Sequence, residues 1–333
     1  MIKDPILVGK WSLKNRMVKA PIHSDTCWGG KMTEKTYTHY DERTQGGRFG
    51  LVVVEHCYIR SDGIASRTQM SISDDSDIEY HKRLVDLIHR NGSTAILQLN
   101  HAGCGALRKD TSQDSISASD VSVTCGWPAS DPNPERPKPL TVDGIKALEE
   151  AYLKAAMRGM KAGYDGIDVH SAHGYLLNQF FSPLTNHRTD MYNGETLAGR
   201  IRIHLEIIMG IRQVIGDKPL LALRLGGCDY IKGGSTIDDA VFASLSFEKA
   251  GVDLIDISGG LCCFVRPGHP EPGYFGDVSE AVKKKVHIPV LLTGGVKTLS
   301  DAEDLLQAQK GDLIGVGRAI TADPKWGIEL ATK

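Results

Sequence analysis

Short apolar runs recur along the chain, and each is followed by a segment with the periodicity of an amphipathic helix. The runs are rich in β-branched residues and Leu, a composition that favours strands buried on both faces of a parallel sheet. They cover residues 17–20, 51–55, 95–100, 166–169, 220–225, 254–258, 289–293 and 313–317.

The segments between these runs carry the start and stop signals of helices. Thr141 and Thr236 are the predicted N-caps of two of them, and Gly163 and Gly251 close the same two. The predicted helices span residues 78–91, 142–162, 197–215, 237–250 and 299–309. Because strand and helix alternate eight times without a polar linker, we predict an α/β fold class, a single (β/α)8 TIM barrel over residues 1–333. A doubly wound open sheet is the alternative.

Two connections are too long for plain loops between a strand and its helix. Residues 106–140, rich in Ser, Asp and Pro, follow the third strand, and residues 171–196 follow the fourth. Loops after barrel strands lie over the catalytic face, so we expect these two to set substrate specificity.

Composition and charge narrow the choice of partners. The chain is 41% hydrophobic, and its 39 basic against 41 acidic residues give a net charge of −2, which indicates neither nucleic acid nor an anionic membrane. The N-terminus lacks a leader-like apolar segment, and no run approaches the roughly 20 residues of a transmembrane helix. We expect a cytoplasmic protein with a small-molecule substrate, and a homo-oligomer is compatible with this composition.

The most informative chemistry follows the fourth predicted strand. His170, His173 and Tyr175 come directly after the apolar run, with Gly174 allowing a sharp turn, so proton-handling groups meet at a strand end. The His-x-x-His spacing could also bind a metal, but no third ligand lies at usable spacing, and we predict none. Either imidazole alone would more often be a structural hydrogen-bonding group.

The ends of the last two strands indicate an anion site. Glycines at 294, 295 and 317 let backbone N–H groups approach a phosphate, and Arg318 adds a planar charged group. Gln98 offers both a donor and an acceptor, and Arg224 could stabilise negative charge on a heterocycle. Together these residues fit FMN lying across the mouth of the barrel.

Several motifs support this interpretation. They are Leu13-Lys-Asn-Arg-Met17 with Ala20-Pro21, Gln98-Leu-Asn-His-Ala-Gly103, the long stretch 165–190, Arg200-x-Arg202 with Glu206 and Arg212, Gly251-Val-Asp-Leu-Ile255, and Gly317-Arg318. In these motifs the chain resembles the Old Yellow Enzyme family of FMN-dependent NAD(P)H:flavin oxidoreductases over nearly its whole length.

The resemblance implies a role for each candidate residue. Pro21, Ile22 and His23 would lie beneath or beside the isoalloxazine, His56 would border it, and Gln98 and Arg224 would contact its pyrimidine side. Gly294, Gly295, Gly317 and Arg318 would hold the phosphate. His170 and His173 would polarise a substrate carbonyl, and Tyr175 would protonate the alkene carbon.

The activity implied is that of an ene reductase, which uses NADH or NADPH to reduce C=C bonds of α,β-unsaturated carbonyl compounds. Flavin-dependent amine oxidation or demethylation and a non-redox lyase on a phosphorylated substrate are the alternatives. Neither a cysteine cluster nor a second nucleotide-binding motif occurs within these residues, so we expect electrons from a soluble nicotinamide. His23, His56 and Cys104 depart from residues common in the family at those places.

Overall fold

Eight parallel strands form a closed barrel in the computed structural model, which describes residues 1–106, 113–123 and 136–331. We number them β1 to β8 in chain order: Met17–Lys19, Leu51–Tyr58, Thr94–Asn100, Gly166–Ser171, Leu220–Gly226, Leu254–Ser258, Val290–Thr293 and Leu313–Val316. Each strand pairs with the next, and β8 returns to β1, with Ile314 opposite Met17. The predicted barrel is confirmed, and the doubly wound alternative is wrong because this sheet closes on itself.

Helices lie between the strands, as predicted. They are α1 (Glu34–Thr44), α2 (Ile78–Arg90), α3 (Val142–Ala162), α4 (Leu176–Phe181), α5 (Leu197–Ile215), α6 (Ile237–Ala250), α7 (Gly276–Lys283), α8 (Leu299–Gln307) and α9 (Arg318–Ala322). The N–H of Gly144 donates to the Thr141 hydroxyl at 3.0 Å, and Gly163 ends α3 with φ of 99°. Glycine adopts that left-handed conformation without strain. Across the described residues, no helix is both long enough and apolar enough to span a bilayer.

Apolar side chains fill the barrel at the amino ends of its strands. Val18, Leu51 and Ile96 belong to this buried cluster, which β5 to β8 complete. A hairpin formed by Ile6–Val8 and Trp11–Leu13 covers the same end. Because this end is packed with hydrocarbon, polar groups that enter the barrel do so near the carboxyl ends of the strands.

The long loops after β3 and β4 contact each other above the barrel. The Arg188 guanidinium donates to the carbonyl of Ala118 at 3.1 Å, and the His187 N–H donates to the Ser119 hydroxyl at 2.8 Å. Both loops were predicted from their length. The predicted excursion after β3 covers residues 106–140. Its residues 107–112 and 124–135 lie outside the described residues, so that part of the excursion stays a prediction.

Candidate active site

A cavity of about 730 Å³ opens at the carboxyl ends of the strands. Its lining includes every residue that the sequence singled out for catalysis or cofactor binding: Pro21, Ile22, His23, His56, Gln98, His170, His173, Tyr175, Arg224, Gly294, Gly295, Gly317 and Arg318. The barrel brings these residues together from seven strands and the turns after them. Their individual roles stay predictions.

The end of β4 places three aromatic groups against one another. The ring centroids of His170 and His173 are 5.0 Å apart, and those of His170 and Tyr175 are 5.3 Å apart. The chain turns sharply here, with φ of 61° at His173 and 72° at Gly174. A positive φ is unfavourable for histidine, so the surrounding contacts hold this backbone in a strained conformation.

Burial keeps both imidazoles neutral. Desolvation, with repulsion from Arg224 added, holds the pKa of His170 and of His173 well below the usual histidine range. The Nδ1 atom of His170 is buried and has no hydrogen-bond partner among the described residues. Buried polar atoms are rarely left unpaired, so this nitrogen fits a site that is completed by a ligand.

Ser258 at the end of β6 connects this group to Arg224. Its hydroxyl lies 2.7 Å from Nε2 of His173 and accepts a 3.4 Å hydrogen bond from Nη2 of Arg224. A hydroxyl that accepts from Arg224 can still donate to His173, and that arrangement places the proton of the neutral ring on Nδ1. Sequence reasoning did not single out Ser258.

Arg224 projects into the barrel from β5. Its Nη2 donates to the Thr293 hydroxyl at 3.1 Å, and its Nη1 lies 3.3 Å from Asp256 without hydrogen-bond geometry. Its Nε and Nη1 have no hydrogen-bond partner among the described residues although both are buried. Unpaired guanidinium donors fit the acceptor-rich edge of a flavin ring.

Two carboxyl groups lie beneath Gln98 and Arg224, and the sequence reasoning missed both. Asp168 on β4 accepts a 2.7 Å hydrogen bond from the Gln98 amide, and Asp256 lies on β6. Burial raises the pKa of both groups, and their mutual repulsion raises that of Asp168 further. A charged residue inside an apolar strand was the sequence signal that could have identified each of them.

Glycine backbone forms the opposite side of the cavity, after β7 and β8. The φ angles are 129° at Gly294 and 73° at Gly295, and a Cβ at Gly294 would lie 2.7 Å from the ring of Tyr274. Nη2 of Arg318 donates to the Tyr274 hydroxyl at 2.7 Å. Exposed backbone N–H groups beside a guanidinium fit a phosphate, so this side suits the phosphate of FMN.

His23 differs from His56, His170 and His173 because a carboxylate pairs with it. Its Nδ1 lies 3.0 Å from Glu55, which is fully buried on β2. Burial alone would lower the pKa of His23, but the hydrogen bond and the charge of Glu55 raise it instead. The pairing with Glu55 was not predicted.

Lys19 requires a correction. The sequence showed nothing that would lower its pKa, whereas burial in the structure lowers that pKa to about 8. The ammonium nevertheless lies 4.5 Å from the centroid of the Tyr40 ring, and Lys19 does not line the cavity. It is therefore not placed to form a Schiff base with a ligand there.

Comparison with known proteins identifies relatives over the whole chain. The sequence model of the NADH:flavin oxidoreductase / NADH oxidase family matches residues 2–333. The chain is 35% identical over 322 residues to an NADPH dehydrogenase of Halalkalibacterium halodurans, covering 96% of this chain and 90% of that protein. It is 33% identical over 327 residues to a metal reductase of Desulforamulus reducens, covering 97% of this chain and 47% of that protein.

Solved structures share the fold. A 2-naphthoyl-CoA reductase in complex with 2-naphthoyl-CoA gives a TM-score of 0.86 at 26% identity, covering 97% of this chain and 51% of that chain. An old yellow enzyme homologue from Zymomonas mobilis gives a TM-score of 0.83 at 24% identity, covering 97% and 90% respectively. The chain thus spans about half the length of the metal reductase and of the naphthoyl-CoA reductase. By its match to the family model and its identity to the NADPH dehydrogenase, the chain belongs to the NADH:flavin oxidoreductase / NADH oxidase family, the Old Yellow Enzyme family of FMN-dependent NAD(P)H oxidoreductases.

Proposed function

We propose that this protein uses NAD(P)H to reduce activated C=C bonds of α,β-unsaturated carbonyl compounds. The observation that carries the proposal is the grouping of His170, His173 and Tyr175 on one side of the cavity. Two neutral imidazoles and a phenol suit a reaction in which charge develops on a carbonyl oxygen and a carbon then receives a proton.

The imidazoles bind and polarise the substrate carbonyl. Bound FMN would supply the hydride that the alkene accepts at its β-carbon. Negative charge then develops on the carbonyl oxygen, where N–H groups of His170 and His173 donate hydrogen bonds. Both rings are neutral, so their N–H groups donate hydrogen bonds to this oxygen and keep their protons.

Tyr175 supplies the proton to the α-carbon. Burial raises the pKa of its phenol above the ordinary value, so the group stays protonated at neutral pH. Its ring lies 5.3 Å from that of His170, so the donor of the proton and the donors to the carbonyl serve the same bound molecule. This proximity is what a general acid requires.

Nicotinamide and alkene would take turns in the same cavity, which predicts ping-pong kinetics. A relative is named NADPH dehydrogenase and another NADH oxidase, so both coenzymes belong in the first assays. We infer that a soluble nicotinamide delivers the electrons directly.

The experiment follows the flavin absorbance of the purified protein without oxygen. NADH or NADPH should bleach the flavin, and 2-cyclohexen-1-one should then restore its colour with formation of cyclohexanone. A reduced enzyme that oxygen reoxidises but that no unsaturated ketone, aldehyde or nitroalkene reoxidises would contradict the proposal.

A further inference from the structure

An irregularity in β2 brings His56 to the wall of the cavity. Val54 lies opposite Leu97 on β3, whereas Cys57 lies opposite Leu99, so β2 carries one extra residue between these pairs. Such a bulge changes the direction of the side chains within it. Here His56 lines the cavity, with its ring centroid 5.6 Å from that of Tyr175 and 6.2 Å from that of His170.

A buried amide fixes the orientation and the proton of the His56 ring. The Gln69 carbonyl oxygen accepts from the backbone N–H of Ala65 at 2.7 Å, so the amide nitrogen of Gln69 must face His56. That nitrogen donates to Nδ1 of His56 at 2.8 Å, and the amide nitrogen of Asn100 lies 3.4 Å from the same atom. Gln69 and Asn100 are both fully buried.

The proton of His56 is therefore on Nε2. Nδ1 accepts a hydrogen bond and cannot carry the proton of a neutral ring. Burial, with repulsion from His23 and Arg224 outweighing the attraction of Glu55, lowers the pKa of His56 to about 4. The ring is thus neutral at physiological pH, and its Nε2–H makes no hydrogen bond within the described part of the chain.

We propose that His56 is a specificity-determining residue whose Nε2–H binds a second carbonyl oxygen of the substrate. The preferred substrates would then be alkenes activated by a carbonyl at each end, such as ene-diones. One carbonyl contacts His170 and His173, the other contacts His56, and the Tyr175 ring packs against both His56 and His170. This inference rests on the proposed alkene reduction.

The chemistry of His56 favours a neutral carbonyl over a carboxylate. A neutral imidazole gives one hydrogen bond but no compensating charge, and burying a carboxylate without such charge is costly. His23 is the nearest imidazole whose pKa is raised, and its partner Glu55 already balances its charge. A second ketone oxygen is therefore the better match for this part of the cavity.

The test compares His56→Leu, which keeps side-chain volume but removes the donor, with His56→Gln, which places an amide N–H at a similar reach. The oxidised FMN-bound enzyme is titrated with 1,4-cyclohexanedione and with cyclohexanone, and binding is followed by the change in flavin absorbance. In His56→Leu the preference for the dione over the monoketone should fall about three- to tenfold, the effect of one lost hydrogen bond. His56→Gln should restore at least half of the lost preference, measured as the logarithm of the ratio of the two dissociation constants.

An equal preference for the dione in the wild type and in His56→Leu would overturn the inference. If the midpoint potential of the flavin also shifts in His56→Leu, the flavin is the acceptor of the Nε2–H. Because no reductant is present, these titrations stay decisive for His56 even if the wild type reduces no alkene, a result that would refute the proposed function alone.

Discussion

The two sides of the cavity handle charge in opposite ways. At the end of β4, burial keeps His170 and His173 uncharged. Across the cavity, Arg318 presents a guanidinium group beside the glycine backbone after β7 and β8. Neutral donors suit a carbonyl whose charge appears only during the reaction, whereas permanent charge suits a phosphate that is always an anion.

The comparison explains why the neutral side needs a deeper position than the charged side. An imidazole titrates near neutral pH unless burial lowers its pKa, so a dependable neutral donor has to be desolvated. A guanidinium keeps its charge in almost any surroundings, so Arg318 can stay exposed to solvent. The two sides thus differ in burial because their side chains differ in how easily they lose a proton.

The largest expected effect is on the neutral side. Tyr175→Phe removes the proton donor, and the rate at which 2-cyclohexen-1-one reoxidises the flavin should fall by roughly 10²- to 10⁴-fold. The rate of flavin reduction by nicotinamide should stay within about threefold of the wild type, because that step needs no proton from Tyr175. Anaerobic stopped-flow absorbance separates the two rates, and an equal loss in both would contradict the role of the phenol.

On the charged side, Arg318→Ala should weaken FMN binding. Loss of a hydrogen bond to a charged group costs about 1.5–3 kcal/mol, which corresponds to roughly 10- to 150-fold in the dissociation constant. Arg318→Lys keeps the charge but loses the planar pair of donors, so its loss should be smaller. Quenching of FMN fluorescence by the apoprotein measures the constant, and equal affinity in wild type and Arg318→Ala would refute the phosphate assignment.

Ser258 acts only through its contacts with His173 and Arg224, so its removal should have a smaller effect. Ser258→Ala deletes the hydroxyl that lies 2.7 Å from His173 and 3.4 Å from Arg224. Reoxidation by the enone should slow about three- to tenfold, because His173 loses the hydrogen-bond partner that holds its ring in place. Ser244→Ala is the matched control, since that buried hydroxyl on α6 has no hydrogen-bond partner in the described ranges. Equal rates in the two variants would exclude a positioning role for Ser258.

Much of this architecture could be predicted from the sequence because, in a barrel, the order of the strands along the chain determines which strands are neighbours. Apolar runs identified the strands, and the residues that follow parallel strands must meet at one end of the barrel. Pro21, Gln98 and Arg318 line one cavity for this reason although they are far apart in sequence.

The remaining features depend on contacts that no local pattern encodes. The extra residue in β2 is visible only in its pairing with β3, and Gln69 reaches His56 from a loop beyond the strand. Tyr274 covers the glycines after β7 from the connection between β6 and α7. The lowered pKa of Lys19 likewise comes from burial, which its neighbours along the sequence do not reveal.

The central claim is that the side of the cavity formed by β4 is electrically neutral when substrate binds. NMR of the FMN-bound enzyme labelled with ¹⁵N-histidine tests it directly, with His170→Ala and His173→Ala used to assign the two rings. Both rings should keep the nitrogen shifts of neutral imidazole from about pH 8 to about pH 6, because their pKa values lie well below the ordinary value near 6.5. A titration of either ring with a midpoint near pH 6.5 would contradict the account.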